Sequence, residues 1–321
     1  MTQNNLIVSQ APHVRSGDSV KKVMWSVVFA LIPAGAAGVF IFGMHSLWLT
    51  LTAVLSALLA EALVMWIRKR PMSLSDGSAL ITGMLVAYNL PPAAPLWIPA
   101  VGSFVGIFMG KQLFGGIGRN IFNPALVGRA FLMASWPVYM TTWSSPRWAP
   151  DAVSTASPLS ILKEASGHAA GGNLPDYLDL VLGNRAGCVG EVCIIALLIG
   201  ALFLLIRGYI TWHTPVSFIG AVGILSWAFM GDGFLKGDWV FYILSGGLVL
   251  GAFFMATDMV TTPITRKGQV VFGLGCGIIT FLIRKYGGYP EGVSYSILIM
   301  NAATPVIDRF VRPGKFGGRK K

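Results

Sequence analysis

After a polar opening of about 22 residues the chain becomes a succession of apolar runs parted by short polar gaps. The runs fall at about 23–43, 47–67, 77–91, 96–114, 121–137, 188–206, 214–231, 239–256, 269–283 and 293–308. A straight helix needs about 20 apolar residues to cross the hydrocarbon core of a bilayer, so the pattern predicts an all-α integral membrane protein with about ten transmembrane helices. The third and ninth runs are shorter than that and are expected to be tilted, broken or only partly spanning. One gap, 138–187, is long. The expected organisation is a cytoplasmic N-terminal segment (1–22), a first five-helix half (23–137), an extracytoplasmic loop (138–187), a second five-helix half (188–308) and a basic cytoplasmic tail (309–321). No small-residue cleavage site follows a short apolar core near the N-terminus, so no secretory leader is read there.

A weak internal repeat supports the division. Gly102 and Gly106 precede Gly115-Gly116 and then Asn123 to Phe131; Gly273 and Gly277 precede Gly287-Gly288 and then Asn301 to Phe310. The copies lie five runs apart, and an odd offset places them in opposite orientations, the inverted repeat found in many ion-coupled membrane proteins.

Composition agrees with the pattern. Apolar residues make up 54% of the 321 and charged residues 12%, about half the charge of an ordinary soluble domain. The net charge of +11 does not imply nucleic acid, because the basic residues sit in gaps between apolar runs rather than on one polar face. Their distribution orients the chain. Of the 24 Lys and Arg, Arg129 lies inside a run and Arg147, Lys163, Arg185, Lys236, Arg284 and Lys285 fall in alternate gaps, which leaves 17 for the others. Positive charge favours the cytoplasmic side, so both termini are expected inside and the 138–187 loop outside. The three cysteines form no CxxC pair and no metal-ligating pattern, so no metal is expected.

Few residues are placed to carry chemistry. In the long gap, Ser157-Pro158 reads as a helix start, Ser as N-cap and Pro at the first helical position. The same start would suit a phosphate ester on the hydroxyl, because free N–H groups and the helix dipole favour a phosphate there; local physics does not separate the two. Glu61 sits within the second run, where an acid is costly and often functional, six residues from an end to which it could snorkel. Asp76 opens the short third run. Asp258, with Thr257, Thr261 and Thr262, concentrates side-chain oxygens that suit a hard cation, a polar cofactor edge or a helix cap. Arg129 lies about 12 Å into its run and is expected to face the bundle or a cofactor. No acid–base triad is seen.

At Asp151-Ala152-Val153-Ser154-Thr155-Ala156-Ser157 the sequence resembles a flavinylation motif, in which the last hydroxyl is esterified to the phosphate of FMN. Together with Ser75-Asp76-Gly77 to Gly83, Gly118-Arg119-Asn120 to Arg129 and Ala256-Thr257-Asp258 to Pro263, it resembles the NqrB/RnfD family of membrane redox-pump subunits, its length suiting the RnfD branch. The resemblance implies a subunit of the Rnf complex, a ferredoxin:NAD+ oxidoreductase that moves Na+ or H+, in a bacterial or archaeal cytoplasmic (inner) membrane. It implies covalent FMN on Ser157, with Asp151, Ser154 and Arg129 as further cofactor-binding residues, and a second noncovalent flavin such as riboflavin. Ala152 and Thr155 depart from the usual glycines and Ser157 from the usual threonine, which leaves Thr155 as a competing acceptor. The implied partners are other Rnf subunits, both membrane and peripheral iron–sulfur and flavin proteins, and a flavin transferase for maturation. Asp258, Thr261, Thr262, Asp76 and Glu61 become residues of an ion pathway. The reading from a different class is an inverted-repeat transporter without a flavin.

Overall fold

The computed structural model describes residues 18–71, 73–148, 157–165, 174–231, 233–289 and 291–312, and its regular structure there is helical. The first long run is α1 (Val20–Phe42), opened by Ser19, whose hydroxyl accepts the Lys22 N–H at 3.2 Å; the second is α2 (Met44–Ile67), joined to it by Gly43 alone. A turn at Leu74–Asp76 leads into α3 (Ser78–Tyr88). Next come α4 (Trp97–Val105), continued without a break by a π-helical stretch Gly106–Gln112, then α5 (Pro124–Ser135) and α6 (Pro137–Thr141). In the long gap lie α7 (Pro158–Ala165) and α8 (Tyr177–Leu182). The second half holds α9 (Ile194–Ile206), α10 (His213–Phe229), α11 (Trp239–Leu244), α12 (Leu248–Leu250) running into a second π-helical stretch Gly251–Met255, α13 (Arg266–Tyr286) and α14 (Val293–Phe310).

Every apolar run therefore contains a helical element. Among the described residues three helices are both long and apolar enough to cross a membrane: α1 and α2 at mean hydropathy 2.0, and α13 at 1.3. Large apolar side chains are left bare on their outer faces, among them Phe40, Leu59 and Trp66 at 72%, 69% and 72% exposure. A water-soluble fold would bury such residues; a membrane-embedded one leaves them to lipid.

The short runs behave differently from expectation. The third is short, as its length requires, at eleven residues. The ninth is not: polar residues at both ends extend it into the 21-residue α13, with Thr265 capping Gly268 N–H at 3.0 Å and Arg284 and Lys285 in its last turn. The broken run is the eighth, parted between α11 and α12 at Ser245-Gly246-Gly247, where Gly246 takes φ +65°. Hydrophobicity measures affinity for lipid and says little about where a backbone turns.

Packing repeats in order. α2 lies against α4 and α10 against α13; α4 lies against α5 and α13 against α14; the two sets meet where α1 packs on α9 and α5 on α14. Close approach at the first seam depends on glycine, since a Cβ on Gly200 would lie 2.0 Å from the Ala30 carbonyl oxygen. The glycines of the apparent repeat are not equivalent, however. Gly102 and Gly106 let α4 meet α5, at Leu132 and Pro124, whereas Gly273 and Gly277 let α13 meet α10, at Thr214 and Phe218.

Candidate functional site

At α7 the helix start read from the sequence is present. The Ser157 hydroxyl accepts the backbone N–H of Ser160 at 3.2 Å and shares a hydrogen bond with the Ser160 hydroxyl at 2.8 Å. Ser157 is buried, and Leu159 ties the helix to Leu180, Phe241 and Tyr242. Asp151, Ser154 and Thr155 lie outside the described residues.

Arg129, buried in α5, donates to Asn89 at the end of α3 and to the Glu291 carboxylate just before α14. Around it the fold gathers charges far apart in sequence. Arg185 donates to the Glu191 carbonyl and Arg284 to the carbonyls of Tyr242, Ser245 and Glu291. The Cys188 thiol and the Glu191 and Glu291 carboxylates approach within 4.8 Å of one another. With three buried guanidiniums against two carboxylates the local field is positive, which opposes a metal cation there and suits a purely ionic clamp. By sequence Arg185 and Arg284 count as loop charges on the outer side, and Lys111 on the inner; all three are buried. Without them the inner and outer groups hold sixteen and four, and the asymmetry stands.

At the opposite ends of the helices, three segments distant in sequence surround one cavity. It is lined by Ser78 and Thr82 of α3, by Asn120, Asn123 and Pro124 at the entry to α5, and by Thr257 and Asp258 after the second π-helical stretch. Lys111 reaches it from the first π-helical stretch, and Val23, Val27, Leu85, Phe253 and Phe254 supply apolar walls. Local chemistry fixes each polar residue. Asn123 is the N-cap of α5, accepting the Ala125 N–H at 3.0 Å, with Pro124 at the first helical position; its amide also reaches the Met255 carbonyl at 3.3 Å. Asp258 accepts the Thr261 hydroxyl at 3.1 Å, and its own carbonyl accepts the Thr262 hydroxyl at 2.6 Å. Burial raises the Asp258 carboxyl above the usual carboxylate range, against the pull of the Thr261 hydroxyl and the Val260 N–H. Thr257 and Asp258 face the cavity, Thr261 is buried behind them, and Thr262 lines a neighbouring cleft with Gln269. The Thr hydroxyls at 257, 261 and 262 are thus engaged within the protein.

Glu61 is fully buried in α2, not snorkelling. Its Oε1 accepts from the Lys111 ammonium at 2.6 Å and from the Gln112 amide at 3.2 Å. Lys111 is the residue that sequence reasoning misses, because near the end of the 96–114 run it is counted with the charges of the gap that follows. Its signal is visible in retrospect: a lysine at the lip of an apolar run, with an acid stranded inside another.

The segments that meet at this cavity are those that carry the sequence resemblance, and comparison with known proteins gives the same answer. The model of the NQR2, RnfD, RnfE family matches residues 7–317. The chain belongs to this family. Among its relatives in the family is the Clostridium ljungdahlii protein named as the D component of a proton-translocating ferredoxin:NAD(+) oxidoreductase complex, 51% identical over 99% of this chain and 98% of its own. The Acetobacterium woodii protein named as the D component of a Na(+)-translocating ferredoxin:NAD(+) oxidoreductase complex is 45% identical over 100% of this chain and 98% of its own. The D component of an ion-translocating oxidoreductase complex of Stutzerimonas stutzeri is 39% identical over 93% and 92%.

Proposed function

We propose that this chain is the RnfD membrane subunit of an ion-translocating ferredoxin:NAD+ oxidoreductase (Rnf) complex, working beside other membrane and peripheral subunits and carrying covalent FMN on Ser157 after the action of a flavin transferase. The observation that carries the reading is the full-length match to relatives named as components of such complexes, combined with the meeting of three family segments at one cavity. Ten spans, with both termini cytoplasmic in a bacterial or archaeal inner membrane, fit the ten helical runs and the charge asymmetry; the repeating order of helix packing fits two inverted halves.

The residues present fit the group proposed for each end. Ser157 stands at the N-terminus of an eight-residue helix, where backbone N–H groups and the dipole favour a phosphate. The Ser160 N–H that Ser157 now caps would turn to a phosphate oxygen. The inner cavity, with apolar walls and the polar groups of Asn120, Asn123, Lys111 and Asp258, suits a flat heteroaromatic ring with a polar edge, so a noncovalent flavin such as riboflavin is assigned there. Flavins supply one- and two-electron chemistry; the protein supplies position and field. Asp76, Glu61, Asp258, Thr261 and Thr262 are assigned to the path of Na+ or H+, because Asp258 lines this cavity, Thr261 bonds to it, Asp76 and Glu61 bond to the lining Ser78 and Lys111, and Thr262 lines the adjoining cleft. A flavin-free transporter would leave Ser157 unmodified.

The test is the mass of the purified chain. It should exceed the sequence mass by one FMN phosphoester and fluoresce yellow-green in a denaturing gel. Ser157→Ala should abolish both while the fold survives, since losing one cap costs about 1 kcal/mol. Flavin mapped to Thr155, or to no residue, would refute the attachment.

A further inference from the structure

Lys111 does more than neutralise Glu61. Its ammonium also donates to the Ser78 hydroxyl at 2.6 Å, and that hydroxyl donates to the Asp76 carboxylate at 2.6 Å. Four side chains thus make one continuous hydrogen-bonded file. At its deep end Glu61 is fully buried and its Oε2 has no hydrogen-bond partner; at its surface end Asp76 is half-buried. Both Lys111 and its neighbour Gln112, in the π-helical stretch, reach the same Glu61 oxygen at the deep end.

We propose that Glu61, Lys111, Ser78 and Asp76 form a proton relay, and that the ion taken up along it is H+ and not a metal cation. The relay rests on the ion-coupling reading above and names the ion for this part of it. A hard cation needs several free oxygens, and here the position opposite the Glu61 carboxylate is filled by the chain's own ammonium. Bringing Na+ to that buried carboxylate would set two cations against one anion in a medium of low dielectric. A proton has no such conflict. In the transfer, an Nζ–H bond of Lys111 breaks and an O–H bond forms on Glu61, giving a neutral amine and a neutral acid. To reload the amine, the Asp76 carboxylate takes a proton from a surface hydronium ion, which becomes water; the Ser78 hydroxyl, which donates to Asp76 at rest, turns toward Nζ and gives up its proton as it takes that one from Asp76, and Asp76 returns to its carboxylate. One proton has moved from the surface to Glu61; no electron has moved and no other reactant is consumed. Ser78 and Lys111 also line the cavity, so the file passes along the wall of the site it would serve.

The experiment uses the assembled complex in proteoliposomes, with internal pH read by a trapped dye, 22Na+ uptake followed in parallel, and infrared difference spectra recorded in H2O and D2O. A carboxylic C=O band that shifts in D2O and vanishes in Glu61→Gln is expected. Ser78→Ala, which removes the bridge and little volume, should slow proton uptake by about tenfold or more and enlarge the solvent isotope effect; Ser78→Thr, which restores a hydroxyl, should reverse both. Wild-type proton uptake and isotope effect in Ser78→Ala would overturn the relay. So would 22Na+ uptake that disappears in Glu61→Gln while proton uptake persists. A chain without any flavin would refute the redox reading separately, because the infrared band and its isotope shift do not depend on it.

Discussion

Single side chains in this protein are held by partners more than a hundred positions away. Arg129 bridges Asn89 and Glu291 across three elements, and each of the three residues is buried. Breaking a buried pair by removing one partner strands the other charge, at a cost of about 3–5 kcal/mol. Arg129→Met should therefore lower thermal stability sharply, and adding Glu291→Gln should recover much of it. A thiol-reactive dye can follow this, because Cys188 and Cys276 are buried and become reactive on unfolding. Asp258 makes a milder case. Asp258→Asn retains shape and one of the two accepted hydrogen bonds, since Val260 and Thr261 donate to different carboxylate oxygens and the amide keeps only one. The variant is expected to assemble, keep covalent flavin and show slowed ion-coupled turnover; unchanged turnover and ion dependence would make the charge purely structural. The Ser157 cap is legible in the sequence because an N-cap is a local event between neighbours. The partners of Glu61 and Arg129 are not, since nothing in residues 55–67 or 123–135 points to Lys111 or Glu291.

Helices here approach until backbone meets backbone. On α9, Gly200 has no room for a side chain against Ala30 of α1, whereas Gly220 on α10 faces open space. The two glycines make a controlled comparison. Gly200→Ala should destabilise by about 1–3 kcal/mol through overpacking, while Gly220→Ala should be neutral or stabilising by up to about 1 kcal/mol through helix propensity. The dye-based melting curve distinguishes them. At this scale the sequence tells where helices lie, because apolar runs are set by the need to face lipid. It expects 77–91 and 269–283 to be tilted, broken or only partly spanning and does not mark the break within 239–256, because Gly246 and Gly247 interrupt a helix without interrupting its hydrophobicity.

Over the molecule, charge sets the expected orientation, and it does so even after the buried Arg185, Arg284 and Lys111 are discounted. A cysteine placed at Ala169 should react with a membrane-impermeant thiol reagent in intact cells. Labelling only after lysis would reverse the topology and move the proposed FMN to the cytoplasmic side. The overall division is legible because runs of one polarity are a whole-chain property. The cavity is not, since it exists only where segments around residues 78, 120 and 258 meet.

The clasp between Arg129 and Glu291 also has a schedule. The two residues are 162 positions apart in the chain. At translation rates of about 5–20 residues per second, Arg129 is added to the chain roughly 8–30 s before its counter-ion. Through that interval Arg129 is without the Glu291 carboxylate, and for its first part the α1 surface that will meet Gly200 is still uncovered. Biogenesis of this subunit therefore has a vulnerable window, whose length is set by where in the gene Glu291 is encoded.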